Sequence, residues 1–337
     1  MANAKKLPSG NWRVQASIII DGKLIRKSFT GSDKRKAERA AAEWQDEKNF
    51  FDNKHQMTLA CAIDDYINSR KNKRSPSTIA TYEKIKRNYF KNLMDMPLCK
   101  IDKYKLNYEI NLMSQKLAPK TVRSAASFIN SVIAYYTEKR LTIDLPQKQK
   151  IIYKTPDKTA LKAIFKATEN TDIEIAVLLA AWLGLRQSEV RGLKWNKVYS
   201  DRIVIDTALV TVNGKSIEKG TKTTDSTRVV ALPQYIKNKL DKLERTSEYV
   251  VPLTVSVLNK KFKKMLKENN IPDCRFHDLR HSTASIMLLL GIPEKYAMEY
   301  CGWETPDVMR EVYQQIFDDE KKKVAQKMDS YFMSNIV

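Results

Sequence analysis

The pattern of apolar residues changes twice along the chain, and each change marks a different kind of local structure. Near the N-terminus, residues 11–20 (NWRVQASIII) and 23–31 (KLIRKSFTG) are two strand-like runs separated by an Asp-Gly dipeptide. Because Asp-Gly is favoured in tight hairpin turns, this pattern predicts a β-hairpin. Ser32 can cap a following helix that is rich in alanine, lysine and glutamate. The first segment therefore predicts a small hairpin-plus-helix module over residues 1–52.

The second segment, residues 57–146, lacks strand signals and has helical periodicity throughout. Four prolines separate the helices that this periodicity predicts. The predicted helices run from Leu59 to Arg70, from Ser77 to Lys91, from Lys103 to Gln115 and from Lys120 to Arg140, with Ser77 and Thr78 as the capping residues that follow Pro76. We therefore expect an all-helical domain, followed by a loop that contains residues 147–156.

The third segment, residues 155–337, mixes helices with strands. The run VLLAAWLGL predicts a buried helix, and residues 201–214 and 227–233 have the β-branched composition of strands. We expect TALVTVN to pair with STRVVALP in an antiparallel hairpin across KSIEKGTKTTD. The fold class is then multidomain α+β: a small β-hairpin and helix, an all-helical domain, and a mixed, mainly helical domain with a small antiparallel sheet.

The net charge of the chain indicates which kinds of molecule it can bind. The net charge is +21, with +5 over residues 1–50, +10 over 57–150 and +6 over 151–337. An excess spread in this way fits a chain that neutralises phosphates along a nucleic acid, although a ribosomal or membrane-surface protein would have similar charge. No apolar run is long enough to cross a bilayer, so we expect no membrane partner and a cytoplasmic location.

Two groups of basic and hydroxyl residues are candidates for DNA contacts. The hairpin carries Arg13, Lys23, Arg26, Lys27 and Ser28, on a ribbon of a size that fits a major groove. The run SPSTIATYEKIKRNYF carries Thr81, Lys84, Lys86 and Arg87 on a helix. For both groups the alternative is an ordinary solvated face.

Four short motifs in the third segment carry residues suited to phosphate chemistry, and each is ambiguous alone. GLRQSEVRGLKW contains Arg186 and Glu189, which could be an ordinary surface ion pair. GTKTTDSTRVVALP places Lys222 near the expected hairpin tip, where a lysine is usually only solvated. HDLRHS and YCGWETPDVMREVYQQI complete the set with His277, Arg280, Trp303 and Tyr313. A lone tyrosine such as Tyr313 is more often a core residue than a catalyst.

Metal and disulfide chemistry are not favoured by the sequence. His277 and His281 have the i, i+4 spacing of a zinc-binding helix, but Asp278 replaces the glutamate of HExxH and no third ligand is evident. The four cysteines have no paired spacing, and the chain has only three histidines to join them. We expect no metal and no cofactor.

The order of these motifs, together with the three segments, resembles the tyrosine recombinases of the phage-integrase family. The resemblance covers essentially the whole chain and implies an arm-type DNA-binding module at 1–52, a core-binding domain at 57–146 and a catalytic domain at 155–337. It implies a catalytic set made of Arg186, Lys222, His277, Arg280, Trp303 and the nucleophile Tyr313. Trp303 stands where many members have histidine, and Gln315 stands two residues after the tyrosine where many have histidine.

The activity that the resemblance implies is site-specific DNA recombination, by integration or excision of a mobile element, through a 3′-phosphotyrosyl intermediate. Two guanidiniums stabilise charge on the phosphate without a metal, and Tyr313 attacks phosphorus. His277 is the candidate base, and Lys222 protonates the departing 5′ oxygen. The resemblance further implies double-stranded DNA with core-type and arm-type sites as the partner, a homotetramer on DNA in a bacterial host cell, and accessory excision or host bending factors.

Three alternatives remain at the level of sequence. A DNA-binding regulator with a degenerate site would need fewer of the catalytic residue types than are present in order. A type IB topoisomerase-like enzyme would share the nucleophile, but it would not need an arm-type module. Either Lys219 or Lys222 could be the lysine of the active site; Lys222 is preferred because it lies nearer the returning strand.

Overall fold

The N-terminal sequence folds as the hairpin pattern predicts, with one additional strand. A computed structural model describes residues 4–20, 23–149, 154–220, 227–306 and 318–336. The chain divides into two units, Met1–Lys150 and Ile151–Val337, and their boundary falls within the segment expected to be a loop. Whether residues 1–52 and 57–146 act as separate domains stays a prediction.

The first unit begins with a three-stranded antiparallel sheet in the order β1-β2-β3. The strands are β1 (Lys5–Lys6), β2 (Trp12–Ile20) and β3 (Lys23–Gly31). The pairing of Val14 with Phe29 and of Ser17 with Arg26 fixes the register of the hairpin. Strand β1 has only two residues, too few for the sequence to reveal it.

Helix α1 (Lys34–Gln56) covers one face of this sheet. Val14 and Ala16 of β2 are buried against Ala37 and Ala41 of the helix. The N-cap is Asp33, whose carboxylate accepts a hydrogen bond from the amide of Arg35 at 2.9 Å, so the expected cap at Ser32 was wrong by one residue.

Four α-helices form the rest of the first unit, and all four were predicted. They are α2 (Leu59–Asn68), α3 (Pro76–Asn88), α4 (Lys103–Ser114) and α5 (Pro119–Thr137). The cap of α3 is Ser75, which accepts from the amide of Thr78, and not Ser77 or Thr78 as expected. Pro76 follows at the first helical position, where its missing N–H costs no hydrogen bond. Leu59, Ile63 and Ile129 are among the fully buried residues of the helical core.

The second unit is mainly helical. In the described residues its α-helices are α6 (Lys158–Thr168), α7 (Glu174–Ala181), α8 (Gln187–Gly192), α9 (Gln234–Asp241), α10 (Val255–Glu268), α11 (Asp278–Leu289), α12 (Glu294–Cys301) and α13 (Asp318–Asn335). Every residue of α7 is buried, as the run VLLAAWLGL predicts. No helix in the described part of the chain is both long enough and apolar enough to cross a membrane.

The strands of the second unit pair differently from the expectation. The strands are β4 (Arg202–Ile205), β5 (Thr207–Val212), β6 (Lys215–Gly220) and β7 (Arg228–Ala231). β5 pairs with β6, and β7 pairs with β4, so the expected pairing of TALVTVN with STRVVALP was wrong. The reason is the turn at Asn213 and Gly214, where φ is 49° and 79°. Two positive φ values are what a two-residue hairpin turn requires, and Asn-Gly supplies them.

Candidate active site

Arg186 is positioned by the turn that joins α7 to α8. The turn passes through Gly184 at a φ of 64°, and Arg186 is the N-cap of α8. The carboxylate of Glu189 accepts from the backbone amide of Arg186 at 2.9 Å and from its guanidinium at 2.7 Å. The side chain of Arg186 remains 38% exposed, whereas that of Glu189 is 7% exposed. The ion pair therefore has a buried acid that holds a partly accessible guanidinium.

A second guanidinium, which sequence reasoning missed, binds the same carboxylate. Arg228, the first residue of β7, donates to Glu189 from Nη1 at 3.2 Å and from Nη2 at 2.8 Å. Its side chain is 9% exposed. Burial by itself raises the pKa of Glu189, but the hydrogen bond and charge of Arg228, with the charge of Arg186, lower that pKa to about 2. Glu189 is therefore ionised at every physiological pH.

Gly302 allows the segment after α12 to approach these side chains closely. It has a φ of 69°, and a Cβ at this position would lie 2.6 Å from Nη1 of Arg228. The carbonyl of Gly302 accepts a hydrogen bond from Nη2 of Arg186. The backbone before Trp303 is thereby joined to the Arg186–Glu189–Arg228 cluster, and any side chain larger than hydrogen would displace Arg228.

Arg280, on the first turn of α11, is 1% exposed. Its Nη1 donates to the carbonyl of Gly184, and its guanidinium carbon lies 4.8 Å from the ring centroid of Trp303. Burial, followed by the charge of Arg186, lowers the pKa of Arg280 to about 9. Its Nη2 is buried and has no acceptor in the described part of the chain. A buried N–H donor left in this way is costly unless an acceptor such as an anion completes it.

His277 occupies the N-cap position of the helix that carries Arg280, without a capping hydrogen bond from its side chain. The residue is exposed at the surface, yet desolvation, with the charge of Arg280 as the next cause, lowers the imidazole pKa below its ordinary 6.5. Its ring meets the ring of His281 edge to face, at a centroid distance of 5.2 Å. His281 is buried, which lowers its own pKa to about 4. Both imidazoles are therefore neutral at pH 7.

Taken together, these contacts place three guanidiniums, one carboxylate, two imidazoles and one indole within a single part of the second unit. All of these residues lie in the four motifs identified in the sequence, but Arg228, within GTKTTDSTRVVALP, was not singled out there. Such an excess of positive charge suits a phosphate, as do the buried Nη2 of Arg280 and Nε of Arg228, which have no acceptor in the described residues.

Residues 154–320 match the model of the phage integrase family. These residues belong to that family. The chain is 25% identical to a XerC-like tyrosine recombinase of Caldanaerobacter subterraneus subsp. tengcongensis, over 96% of each chain. The chain is therefore a tyrosine-type site-specific recombinase.

Two solved structures share the fold. One is the Tn1549 transposon integrase in complex with circular intermediate DNA, at a TM-score of 0.64 and 16% identity over 81% of this chain and 100% of that chain. The other is a lambda integrase tetramer bound to a Holliday junction, at a TM-score of 0.56 and 18% identity over 92% of this chain and 94% of that chain.

Two of the expected catalytic residues of the recombinase, Lys222 and Tyr313, lie outside the described residues. The alternative lysine, Lys219, pairs with Ala208 in the β5–β6 hairpin. The tip of that hairpin is at Asn213 and Gly214. The expected position of Lys222 near a hairpin tip falls outside the described residues. In the described part of the recombinase, no group of three His, Cys, Asp or Glu side chains could hold a metal ion.

The register divides the candidate DNA contacts of the sheet between its two faces. Arg13 lies opposite Thr30, and Arg26 opposite Ser17, on the face that α1 leaves uncovered. Arg13 also donates to the hydroxyl of Ser28 at 2.9 Å. Lys27, by contrast, lies opposite the buried Ala16, on the face of α1. Lys23 is the first residue of β3.

The candidates on α3 are placed as a group at the surface. Thr81, Lys84 and Arg87 are exposed and recur at three-residue spacing. Lys86 does not belong with them, because its ammonium binds the carboxylate of Asp64 at 2.5 Å. The face formed by Thr81, Lys84 and Arg87 is free of that ion pair and can meet phosphates.

Proposed function

We propose that the recombinase holds the scissile phosphate of double-stranded DNA between Arg186 and Arg280, and cleaves it with Tyr313. The observation that carries this proposal is the buried Nη2 of Arg280, which has no acceptor in the described part of the chain. A non-bridging phosphate oxygen would complete that donor. With Glu189 ionised, the three guanidiniums leave the cluster positively charged, which suits the dianionic transition state of phosphoryl transfer.

In the proposed reaction, the phenolate oxygen of Tyr313 forms a bond to phosphorus, and the bond from phosphorus to the 5′ oxygen breaks. The products are a 3′-phosphotyrosyl ester and a free 5′-hydroxyl on the DNA. Attack by a 5′-hydroxyl from another strand reverses the step and rejoins DNA. Because the ester conserves the bond energy, the reaction needs neither ATP nor a cofactor.

His277 is the proposed base for the phenol proton, which an imidazole that stays neutral at pH 7 can accept. Lys222 is the proposed acid for the departing 5′ oxygen. Lys222 is preferred to Lys219 because Lys219 lies on the opposite face of the hairpin from the side chain of Thr211, which contacts Arg191 of α8. Trp303, stacked on Arg280, is proposed to hold that guanidinium at the phosphate.

The DNA is proposed to meet both units of the chain. Arg13 and Arg26 would contact an arm-type site from the open face of the N-terminal sheet. Lys23 and Lys27, on the edge strand β3, would contact phosphates of the same site. Thr81, Lys84 and Arg87 would contact the core-type site. The division into modules at 1–52, 57–146 and 155–337 is part of this proposal, as is action on DNA in the cytoplasm of a bacterial host, together with accessory excision or bending factors.

A homotetramer on DNA is proposed from the assembly in the lambda integrase structure. The C-terminal segment supplies a contact for it. Met328, Phe332 and Ile336 are exposed and recur at four-residue spacing, so they form an apolar stripe that is open to solvent in the described part of the chain. We propose that it docks on a neighbouring protomer. Replacing Met328 and Phe332 by serine should then reduce tetramers on DNA in sedimentation experiments while leaving binding of single protomers unchanged.

The proposed nucleophile is tested with a nicked duplex that carries the attachment core of the element encoding the chain, incubated without metal. After cleavage, the short fragment between the scissile phosphate and the nick diffuses away, so its 5′-hydroxyl cannot reverse the reaction. The covalent intermediate is trapped and is measured as a protein–DNA adduct on a denaturing gel. Wild type should form the adduct, Tyr313→Phe should form none, and the control Tyr296→Phe, at an exposed tyrosine, should match wild type. An adduct of undiminished yield from Tyr313→Phe would refute the assignment.

A further inference from the structure

Arg191 is a buried guanidinium without a buried counter-ion. It lies on α8, five residues after Arg186, and is 2% exposed. Burial lowers its pKa. Every hydrogen-bond acceptor that it has in the described part of the chain is neutral. An apolar side chain of similar volume would pack at such a site at a lower desolvation cost, so stability alone does not account for an arginine here.

The hydrogen bonds of Arg191 converge on the β5–β6 hairpin. Its Nη1 donates to the carbonyl of Leu209 at 3.2 Å and lies 3.5 Å from the hydroxyl of Thr211. Its Nη2 donates to the hydroxyl of Ser216 at 2.8 Å, and Ser216 is the cross-strand partner of Thr211. Its Nε donates to the carbonyl of Leu253, just before α10, at 2.8 Å. One side chain therefore binds both strands of the hairpin and the segment that leads into α10.

The hairpin needs such an anchor because it forms a sheet of its own. In the described residues β5 and β6 pair only with each other, and a lone two-stranded hairpin is marginally stable. Its orientation is set by contacts with helices and loops. Gly192 permits close approach to β5, since a Cβ there would lie 2.6 Å from the carbonyl oxygen of Thr207. Lys194 and Tyr249 bind Glu218 from the same side, at the surface.

We propose that Arg191 is a positioning residue that fixes the β5–β6 hairpin against α8, and so sets where the proton-donating lysine at the end of that hairpin stands relative to Arg186. Arg186 is the N-cap of α8, and Arg191 lies in the same short helix. Helix α8 therefore holds both the hairpin and the phosphate-binding guanidinium in place. This inference rests on the proposed function, in which Lys222, or Lys219 as the alternative, protonates the 5′ oxygen.

The test compares two nicked duplexes, one normal and one with sulfur in place of the bridging 5′ oxygen at the scissile phosphate. A departing thiolate is a far weaker base than an alkoxide, so it needs no proton from the enzyme. A variant that misplaces only the acid therefore cleaves the sulfur substrate normally. A variant with general structural damage cleaves both substrates slowly. For each protein, the single-turnover rate of adduct formation is measured on both substrates, and the rate on the sulfur substrate is divided by the rate on the oxygen substrate.

We expect Arg191→Met to cleave the oxygen substrate about 30-fold more slowly than wild type, a partial loss of the roughly 10²–10⁴-fold that general acid catalysis contributes. The sulfur substrate should be cleaved at nearly the wild-type rate. Arg191→Lys, which retains the charge but not the fork of donors, should recover part of the loss. The double variant Thr211→Val/Ser216→Ala leaves Arg191 in place and should show the same selectivity with a smaller, several-fold loss.

Two controls separate the possible failures. Ile236→Val lies in the core of the second unit, away from the hairpin, and should leave the ratio of the two rates unchanged. Lys222→Ala and Lys219→Ala identify the acid: one of them must show the sulfur-selective pattern. If neither does, the lysine assignment and this inference both fail. If a lysine variant is selective while Arg191→Met slows both substrates equally or slows neither, the inference alone is refuted.

Discussion

Replacement of Glu189 by glutamine tests whether one buried carboxylate holds the arginine cluster together. Glutamine has nearly the same shape, but it removes the negative charge that, among the described residues, binds both Arg186 and Arg228. It also presents an NH₂ group where two guanidiniums donate. The variant should therefore lose stability through uncompensated positive charge, with little change in packing.

The magnitude follows from the pKa of Glu189, which is about 2 in the folded chain against an ordinary value of 4.5. At about 1.4 kcal/mol for each tenfold change in the proton affinity, the ionised carboxylate stabilises the folded state by about 3 kcal/mol at neutral pH. For a unit of this size, such a loss corresponds to a fall in Tm of roughly 6–12 °C. Cleavage should fall as well, because Arg186 loses the partner that orients it.

The stability that Glu189 contributes depends on pH in a direction set by its lowered pKa. Because folding lowers the pKa, the stabilisation is fully present above about pH 5.5 and is lost as the pH falls through 4.5 towards 2. Urea unfolding of wild type and Glu189→Gln should therefore differ by a constant amount between pH 6 and 8, and the difference should narrow at pH 4. The control is Glu109→Gln, at another buried glutamate, whose carboxylate accepts from the amide of Asn92 at 2.6 Å. Equal stability of wild type and Glu189→Gln at pH 7 would refute the reasoning.

Three further predictions concern the glycine, the buried arginine and the open face of the sheet. Gly302→Ala should lower the free energy of unfolding by about 2–3 kcal/mol, whereas Gly214→Ala, which has a similar φ but no atom within 4 Å of the new Cβ, should cost about 1 kcal/mol; chemical denaturation measures both. Arg280→Lys cannot donate to the carbonyl of Gly184 and to a phosphate with the same fork, so adduct formation should fall about 100-fold with DNA affinity nearly unchanged. Arg26→Ala should reduce the salt dependence of binding to arm-type DNA by about one phosphate contact, measured as the slope of log K against log salt.

Local signals in the sequence predict most helices but not the pairing of the strands in the second unit. Helices α2 to α5 begin and end within about three residues of the predicted positions, because proline and periodic apolar residues mark them directly. The strand KSIEKG has few β-branched residues, and it was assigned to a connection. Its neighbour Asn213-Gly214 is the signal that would have found it, since this dipeptide sets a two-residue turn whatever the strand composition.

The active site is harder to predict, for a different reason. Arg186, His277 and Arg280 stand in recognisable motifs, whereas Arg228 lies in a strand where an arginine has no characteristic spacing. Its role becomes evident only when β7 pairs with β4, which brings its guanidinium to Glu189. The glutamate itself gives a hint: a carboxylate that is 6% exposed needs more than one partner, and a half-exposed Arg186 cannot be the whole of its counter-charge.

The hydrogen bonds of the three arginines indicate a different role for each. Arg228 uses both terminal nitrogens on Glu189, and Arg186 divides its own between Glu189 and the carbonyl of Gly302. Arg280 uses one terminal nitrogen on a carbonyl and has the other buried without an acceptor in the described residues. A phosphate that arrives can therefore complete the Nη2 of Arg280, which has already lost its hydration. The Nε of Arg228 is a second buried donor without an acceptor in the described residues, and the positive charge of all three guanidiniums attracts the phosphate.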